Sequence, residues 1–178
     1  MSPMDIPFSP HRMKCLFAKC KKEVAFANGM DKALEVKVAK IDEKAKMPTK
    51  GSIHAAGWDL YALEDMTIPF RKSMKISTGI KVAIPNGYEG QVRSRSSLGK
   101  KGLILPHSIG TIDSDYRGEL FVLMTWIGES ESYTVTAGER IAQLLICPIP
   151  EVYFTEVNQE ELGITERGIG GFGSTGKF

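Results

Sequence analysis

Three features that would place the chain in a specialised class are scarce or missing. Only three cysteines occur among 178 residues, at irregular spacing, so the sequence predicts no disulfide framework and favours a reducing compartment. The net charge of +2 is too small for the broad positive field that nucleic-acid-binding proteins use. The longest nearly apolar run, Ile141 to Pro150, reaches about half the length of a membrane-spanning helix. We therefore expect an intracellular globular protein that binds neither nucleic acid nor membrane.

The first 33 residues differ in texture from the remainder of the chain. Residues 1–33 mix proline, lysine and small residues without a clear period, which indicates a flexible extension or a targeting leader. We expect the protein in the cytoplasm, or in the nucleus or an organelle if this leader is a targeting segment. Cys15 and Cys20, with His11 nearby, could form half of a zinc site, but a closed structural site needs four ligands and no second pair follows.

From Leu34 onward the sequence changes to short β-rich runs separated by glycine and proline. In the first run Leu34, Val36 and Val38 alternate with charged residues, as in a half-buried strand. The predicted strands are LEVKVAKI, GWDLYAL, MKISTGIKVAIP, GYEGQVRSR, KGLIL, ELFVLMTWIG, SYTVT, RIAQLLICPI and VYFTEV. No stretch between Leu34 and Val157 has a helical period, and only NQEELG near the end could form a short helical turn. The pattern predicts an all-β sandwich, barrel or jelly roll and argues against a βαβ nucleotide-binding fold.

The C-terminal stretch RGIGGFGSTGKF is rich in glycine and has little apolar surface to bury. It contains the patterns GIGGFG and GFGSTGK, but a dinucleotide-binding site and a P-loop both need a strand before and a helix after the motif. Neither context is present, so we expect neither site. The free backbone amides, with Arg167, Ser174 and Thr175, still suit phosphate oxygens. A disordered tail is the alternative.

Two polar clusters carry further candidates for phosphate or metal chemistry. RSRSSLGKKG places Arg95 and Ser96 near a predicted strand end, where they could hold a polyphosphate or form only a solvated basic turn. GTIDSDYRGE sets Asp113 and Asp115 two residues apart, which on an extended strand puts both carboxylates on one face. Paired acids can hold Mg²⁺ or activate a water, whereas a surface hairpin would explain them equally well. Because no GxSxG pattern occurs, hydrolysis by a positioned water with metal help fits better than a serine triad.

Five segments, taken together and in order, resemble the five signature motifs of the trimeric dUTPase family. They are AAGWDLYA (55–62), RSRSSLG (93–99), GTIDSDYRGEL (110–120), AGERIAQLL (137–145) and RGIGGFGSTG (167–176). The resemblance implies a distorted jelly-roll, β-barrel-like protomer over residues 34–164, which assembles as a homotrimer with shared active sites. It also implies a mobile C-terminal arm, residues 165–178, that closes over bound nucleotide. The implied reaction is Mg²⁺-dependent hydrolysis of dUTP to dUMP and pyrophosphate, which lowers dUTP and supplies dUMP for dTMP synthesis.

The resemblance also implies roles for single residues. Asp113 is similar to the family's aspartate that orients and deprotonates the attacking water. Tyr116 matches the tyrosine whose ring packs under the deoxyribose and leaves no room for a 2′-hydroxyl. Asp59 matches an acid that supports Mg²⁺ through coordinated water, with the ion held mainly by the substrate phosphates. The implied substrate-binding residues are Arg95, Ser96, Ser97 and Gln143 for the phosphate chain, the backbone of Ser108, Ile109 and Gly110 for uracil, Phe172 for stacking on uracil, and Arg167, Gly173, Ser174 and Thr175 for the β and γ phosphates.

Two positions depart from the family pattern, and two alternatives stay open. His107 stands six residues before Asp113, where asparagine is frequent in bacterial relatives, so its reach toward uracil differs. Ile169 stands where an acid is common and removes a charge near the hinge of the arm. One alternative is a dCTP deaminase, which shares the fold and an RSS segment. The other is a dUTPase with an added regulatory role through partner binding by the leader.

Overall fold

The chain is described here by a computed structural model that covers residues 33–171 and Ser174. The leader residues His11, Cys15 and Cys20 and the arm residues Phe172, Gly173 and Thr175 lie outside the described residues. The strands are β1 Lys37–Lys40, β2 Trp58–Tyr61, β3 Met66–Pro69, β4 Ser73–Ala83, β5 Tyr88–Ser94, β6 Leu103–Ile104, β7 Gly110–Ile112, β8 Glu119–Trp126, β9 Ser132–Val135 and β10 Arg140–Pro148. One α-helix, α1 Ser96–Lys101, follows β5, and a 3₁₀ helix spans Gln159–Leu162.

Two four-stranded antiparallel sheets form the body of the protein. One has the order β1-β4-β8-β6 and the other the order β2-β10-β5-β7, while β3 and β9 pair separately. Non-consecutive strands lie side by side in both sheets, which is the Greek-key connectivity of a jelly roll. The prediction of an all-β jelly-roll protomer is therefore confirmed.

A single cluster of buried apolar side chains joins the sheets. Both four-stranded sheets contribute to it, because alternate residues of each strand point inward. Its most deeply buried members include Leu60, Ile76, Ile80, Leu120, Val122, Met124 and Ile141. Among the described residues, no helix is both long and apolar enough to cross a membrane.

A bulge in β4 allows this long strand to pair with β8 and with β1. The register of the β4–β8 pairing shifts between Ser77 and Lys81, and Gly79 has φ of +67°. A side chain at Gly79 would be strained at this φ, and its Cβ would lie 2.8 Å from the Ala45 Cβ. The Glu119 carboxylate satisfies the bulged backbone by accepting from the Gly79 N–H at 2.9 Å.

Tyr133 on β9 links the small β3–β9 sheet to the body. Its ring lies 5.1 Å from the Trp126 ring, measured between centroids. Its hydroxyl donates to Glu139 Oε1 at 3.1 Å. Burial, reinforced by this carboxylate, raises the pKa of the Tyr133 hydroxyl. The contact belongs to the packing of β9 and not to any polar cleft.

The sequence located most strands but not all elements. Eight of the predicted runs cover β1, β2, β4, β5, β6, β8, β9 and β10 to within one residue, and NQEELG contains the 3₁₀ helix. The strands β3 and β7 escaped prediction because β3 ends in a proline and β7 has only three residues, the first a glycine. Helix α1 escaped because its six residues bury only Leu98, which leaves no visible period; Gly102, in the left-handed region, ends it.

One predicted strand, VYFTEV, is wrong for the isolated chain. Residues 151–158 form no strand, and Tyr153 and Phe154 are 88% and 98% exposed. The β propensity of the segment is real, but a strand needs a partner, and the described chain offers none at this place.

Candidate active site

A buried carboxylate, Asp59 of β2, is the centre of the main polar cluster. Asp59 is only 3% exposed. Its Oδ1 lies 3.3 Å from Arg95 Nε and accepts from Gln143 Nε2 at 3.3 Å. Its Oδ2 accepts from Arg140 Nη1 at 3.3 Å. The structure thus brings together three residues predicted from the sequence, Asp59, Arg95 and Gln143, and adds Arg140.

Strand register explains why these side chains meet. Asp59 on β2 is directly opposite Gln143 on β10, and Gln143 is opposite Arg93 on β5. Residues opposite one another project from the same face of a sheet. Arg95 follows Arg93 by two residues, so the chain brings it to the same side just as β5 ends.

Arg95 is held in place from two directions. Besides its ion pair with Asp59, its Nη1 donates to the backbone oxygen of Arg140 at 3.0 Å. Its own carbonyl accepts from the N–H groups of Leu98 and Gly99 at 3.1 and 2.9 Å, so Arg95 also begins α1. A guanidinium has five N–H donors, and these contacts leave donors for an oxyanion. The exposed Ser96 and Ser97 follow immediately in the first turn of α1.

The cluster has an excess of positive charge. Two guanidinium groups, Arg95 and Arg140, surround one carboxylate, so one positive charge remains unmatched within this group. The Arg95 side chain is 21% exposed and the Arg140 side chain 49%, so both reach solvent. Such an arrangement suits a phosphate group, which arginine can contact through two parallel N–H groups.

Asp113 lies in a second region, at the turn after β7. The turn is closed by a hydrogen bond from the Tyr116 N–H to the backbone carbonyl oxygen of Asp113 at 3.1 Å. Of the two interpretations left open for Asp113 and Asp115, the structure agrees with the surface turn and not with the extended strand, because β7 ends at Ile112 and both acids fall in or next to the turn. The exposed Asp113 carboxylate is therefore available to a water molecule and is not paired with Asp115.

Tyr116 is fixed beside this turn. Its hydroxyl donates to the backbone oxygen of Glu119 at 2.9 Å, although the side chain is 40% exposed. Gly118 lies against the ring, and a methyl group at that position would overlap the Tyr116 hydroxyl. The ring therefore presents a fixed surface, as a steric gate requires.

A cavity of about 300 Å³ lies beside β7. It is lined by Lys75, Val92, His107, Gly110, Thr111, Ile112, Phe121 and Leu123. A Cβ on Gly110 would lie 3.0 Å from His107 Nε2, so the imidazole packs against the glycine. Of the predicted base-reading residues, Gly110 lines the cavity, while Ser108, with φ of +67°, and the exposed Ile109 form the turn leading into it.

In its described part, the arm makes only local hydrogen bonds, which form turns. Arg167 Nε donates to the Gly170 oxygen at 2.9 Å, and the Ser174 N–H donates to the Gly171 oxygen at 3.0 Å. Arg167, Ile169 and Ser174 are exposed. Among the described residues, no hydrogen bond joins the arm to Asp59, Arg95 or the Asp113 turn.

The Asp113 turn is far from the Asp59 cluster within one chain. Ile112, the last residue of β7, is opposite Gly90 on β5. Arg95 follows Gly90 by five residues along the direction of β5. At about 3.3 Å per residue this separation is about 16 Å. Because β7 runs antiparallel to β5, Asp113 lies further still from Arg95. The Asp113 turn and the Asp59 cluster therefore do not form one site within a single chain.

Sequence reasoning missed Arg140 and most of the residues that line the cavity. Arg140 lies within AGERIAQLL, three residues before Gln143, and a conspicuous arginine in a recognised motif was a usable signal. Lys75, Phe121 and Leu123 line the cavity from β4 and β8. No sequence pattern marked these three residues as part of a site, because only the fold brings β4 and β8 next to β7.

Fold and site together define a jelly-roll protein with a positively charged cluster suited to an anion and a separate cavity of about 300 Å³. Comparison with known proteins gives the family: the model for the family described as dUTPase matches residues 43–176. The chain therefore belongs to the dUTPase family.

Relatives and solved structures agree with this assignment. A deoxyuridine 5′-triphosphate nucleotidohydrolase from Syntrophotalea carbinolica is 45% identical, over 82% of this chain and 99% of the relative. The protein of the same name from Yarrowia lipolytica is 43% identical, over 80% of this chain and 90% of the relative. The structure of a mutant Staphylococcus bacteriophage 80alpha dUTPase with dUpNHpp has a TM-score of 0.70 and 29% identity, over 80% of this chain and 98% of that one. A mutant dUTPase from phage phi11 of S. aureus, described with a structural Mg(II) ion, has a TM-score of 0.66 and 25% identity, over 71% of this chain and 99% of that one.

Replacing Asp59 by asparagine tests whether its charge holds the cluster together. We expect Asp59→Asn to lower the free energy of unfolding by about 1–3 kcal/mol, because asparagine carries no negative charge and has one acceptor oxygen where aspartate offers one to each guanidinium group. Urea denaturation measures the change. Asp115→Asn is the matched control, since Asp115 is exposed, and it should shift stability by less than about 0.5 kcal/mol. Equal effects of the two substitutions would contradict the role of Asp59.

Proposed function

We propose that the protein hydrolyses dUTP to dUMP and pyrophosphate. The observation that carries the proposal is the match to a deoxyuridine 5′-triphosphate nucleotidohydrolase over 99% of that relative's length at 45% identity. Two features of this chain support it: the positively charged Asp59 cluster, suited to a polyphosphate, and the cavity beside β7, suited to a single base. Removal of dUTP and supply of dUMP for dTMP synthesis follow from the reaction.

The Asp59 cluster binds the phosphate chain in this proposal. Arg95 offers the guanidinium donors that Asp59 and the Arg140 carbonyl leave free. Ser96 and Ser97 add hydroxyl groups at the start of α1, and Gln143 adds an amide. Because little covalent chemistry is left for the protein in phosphoryl transfer, fixing the chain in line is the main contribution.

Asp113 supplies the base. Its carboxylate accepts a proton from a water molecule, whose oxygen attacks the α-phosphorus. The bond between the α-phosphorus and the oxygen bridging to the β-phosphorus breaks, and pyrophosphate leaves with the bonding electrons. The exposure of Asp113 at a closed turn supports this role, because a hydrogen bond holds the backbone that carries the carboxylate while the side chain reaches solvent.

Asp59 fits an indirect role toward Mg²⁺. Both of its oxygens already accept from Arg95, Arg140 or Gln143, so its charge is largely matched. Mg²⁺ keeps several of its waters in protein sites, and a hydrated ion could reach the remaining lone pairs of Asp59 through water. The ion would be held mainly by the substrate phosphates, whose charge it neutralises.

Base and sugar are recognised around β7. This strand is at the edge of its sheet, so one side of its backbone has no strand partner in the described chain. The backbone of Ser108, Ile109 and Gly110 would pair with uracil, and the fixed ring of Tyr116 would exclude a 2′-hydroxyl. The arm residues Arg167, Phe172, Gly173, Ser174 and Thr175 would close over base and phosphates.

A homotrimer with shared sites would unite the two separated regions. Within one chain, Asp113 lies more than about 16 Å from Arg95 along β5, so a second copy must supply one of them. The segment after β10 supports such an assembly. This segment exposes several apolar side chains that another subunit would cover, namely Tyr153, Phe154, Leu162 and Ile164. There VYFTEV could find the strand partner that its own chain lacks.

A nucleotide panel tests the reaction. With Mg²⁺ the protein should release pyrophosphate from dUTP at least about 100-fold more efficiently than from UTP, dTTP or dCTP, and chelation of Mg²⁺ should remove most of the activity. Pyrophosphate and ammonia are measured together. Release of ammonia from dCTP would instead establish a deaminase, and inactivity on dUTP would refute the proposal.

Asp113→Asn tests the base. We expect kcat to fall by about 10² to 10⁴, because the amide cannot accept the proton, while binding of a non-hydrolysable dUTP analogue stays close to wild type. Single-turnover kinetics and calorimetry give the two quantities. Asp115→Asn serves as control and should keep near-normal turnover. A similar loss in both variants would remove Asp113 from its role.

Mixing two inactive variants tests the sharing of sites. Asp113→Asn and Arg95→Ala protomers, co-assembled in equal amounts, should regain up to about a quarter of wild-type activity, because some sites then receive both intact residues from different chains. A mixture of Asp113→Asn with Asp113→Ala should regain none. If the first mixture also regains none, both residues act in the same chain's site.

A further inference from the structure

The bulge in β4 interrupts the strand pairing at the start of β8. Ser77 is opposite Phe121, and the next pair along the two strands is Lys81 opposite Glu119. Three residues of β4, numbers 78–80, therefore face a single residue of β8, and the regular ladder of hydrogen bonds is lost there. On its other side, β8 pairs with β6 only near its far end in the described chain. The start of β8 therefore needs other contacts to hold it.

Side chains and one bulged N–H replace the missing ladder. The Ser77 hydroxyl and the Gly79 N–H both donate to Glu119 Oε1, the second at 2.9 Å. The hydroxyl of Thr78, which is 2% exposed, donates to the backbone oxygen of Leu120. Hydrogen bonds to a carboxylate are stronger than those between neutral groups. We call these three hydrogen bonds the bulge clamp, because they fasten residues 119–120 to β4.

The ring of Tyr116 lies against the backbone that the bulge clamp holds. Its hydroxyl donates to the backbone oxygen of Glu119 at 2.9 Å, which is the one hydrogen bond that the hydroxyl makes among the described residues. The ring lies over Gly118, where an added methyl group would overlap it. Since the side chain is 40% exposed, the position of residues 118–119 largely determines where the ring stands.

We propose that Glu119 is a positioning residue, whose carboxylate fixes the carbonyl group that holds the Tyr116 ring against the sugar. The inference rests on the proposed function, in which Tyr116 excludes a 2′-hydroxyl. Steric exclusion works only if the ring cannot yield to one extra oxygen atom, so the restraint on the ring sets the preference for deoxyribose. Glu119 does not touch the nucleotide and acts only through Tyr116.

Two substitutions at Glu119 test whether its acceptor oxygen matters. In Glu119→Ala the Ser77 hydroxyl and the Gly79 N–H lose their acceptor. The ratio of kcat/KM for dUTP to that for UTP should then fall by about tenfold or more, mainly because UTP becomes a better substrate. Glu119→Gln keeps an acceptor oxygen and should keep most of the ratio. An unchanged ratio in Glu119→Ala, or an equal loss in Glu119→Gln, would overturn the inference.

A core substitution controls for loss of stability alone. Val135 is fully buried on β9, which pairs with β3 and not with β8. Val135→Ala leaves a cavity and should lower the urea midpoint, as Glu119→Ala should, but it should keep the wild-type ratio. If Val135→Ala lowered the ratio as much as Glu119→Ala, general destabilisation would explain the effect and the inference would be wrong.

Tyr116→Phe breaks the same connection at its other end. It should lower the ratio, and Glu119→Ala combined with Tyr116→Phe should lower it no further than the larger single change, because both remove one link. Losses that multiply would contradict the inference. Gly118→Ala displaces the ring directly. If Gly118→Ala lowers the ratio but Glu119→Ala does not, only the role of Glu119 is refuted. If neither does, the role of Tyr116 in the proposed function is refuted with it.

Binding measurements separate this inference from the proposed reaction. Calorimetric titration of dUMP and UMP needs no turnover, and the preference of the wild type for dUMP should fall in Glu119→Ala and persist in Glu119→Gln. A wild type that prefers dUMP but never hydrolyses dUTP would refute the reaction and not the role of Glu119. Equal binding of dUMP and UMP by the wild type would overturn the inference.

Discussion

The ion pairing of the buried Asp59 carboxylate is the interaction on which the positively charged cluster of the candidate site depends. One carboxylate on β2 fixes two guanidinium groups and an amide, of which Arg140 and Gln143 lie on β10 and Arg95 directly follows β5. Without it, Arg95 and Arg140 would repel each other and Arg95 would lose one of its two anchors. The acid is therefore a scaffold for an anion site, and its burial is tolerated because every partner is a charged or amide donor.

Strand geometry imposes a second constraint, on where the chemistry can take place. The carboxylate suited to activate water follows β7, and the guanidinium suited to hold phosphate follows β5, but the antiparallel pairing of these two strands carries the two residues in opposite directions. A single jelly roll cannot bring them together without breaking that pairing. Assembly of several copies, as proposed above, would solve the problem, and it would cover the apolar side chains that the segment after β10 exposes.

In the proposed function, base choice and phosphate binding are handled by different physical means. The Asp59 cluster would bind phosphates through charge, which recognises any polyphosphate. The cavity beside β7 is mostly apolar, so the choice of base would depend on the few polar groups around it, among them the backbone of Ser108, Ile109 and Gly110.

The sequence by itself determined the all-β class, eight of the strands and the identity of Asp59, Arg95, Gln143 and Asp113 as candidates, because periodicity and local motifs are properties of neighbouring residues. It could not choose between a strand and a surface hairpin for Asp113 and Asp115, since turns and strands of three residues have no period to detect. It gave no warning of Arg140 as a partner of Asp59, or of Lys75 and Phe121 at the cavity. Those contacts join residues separated by up to 81 positions, and only the pairing of distant strands decides which of them meet.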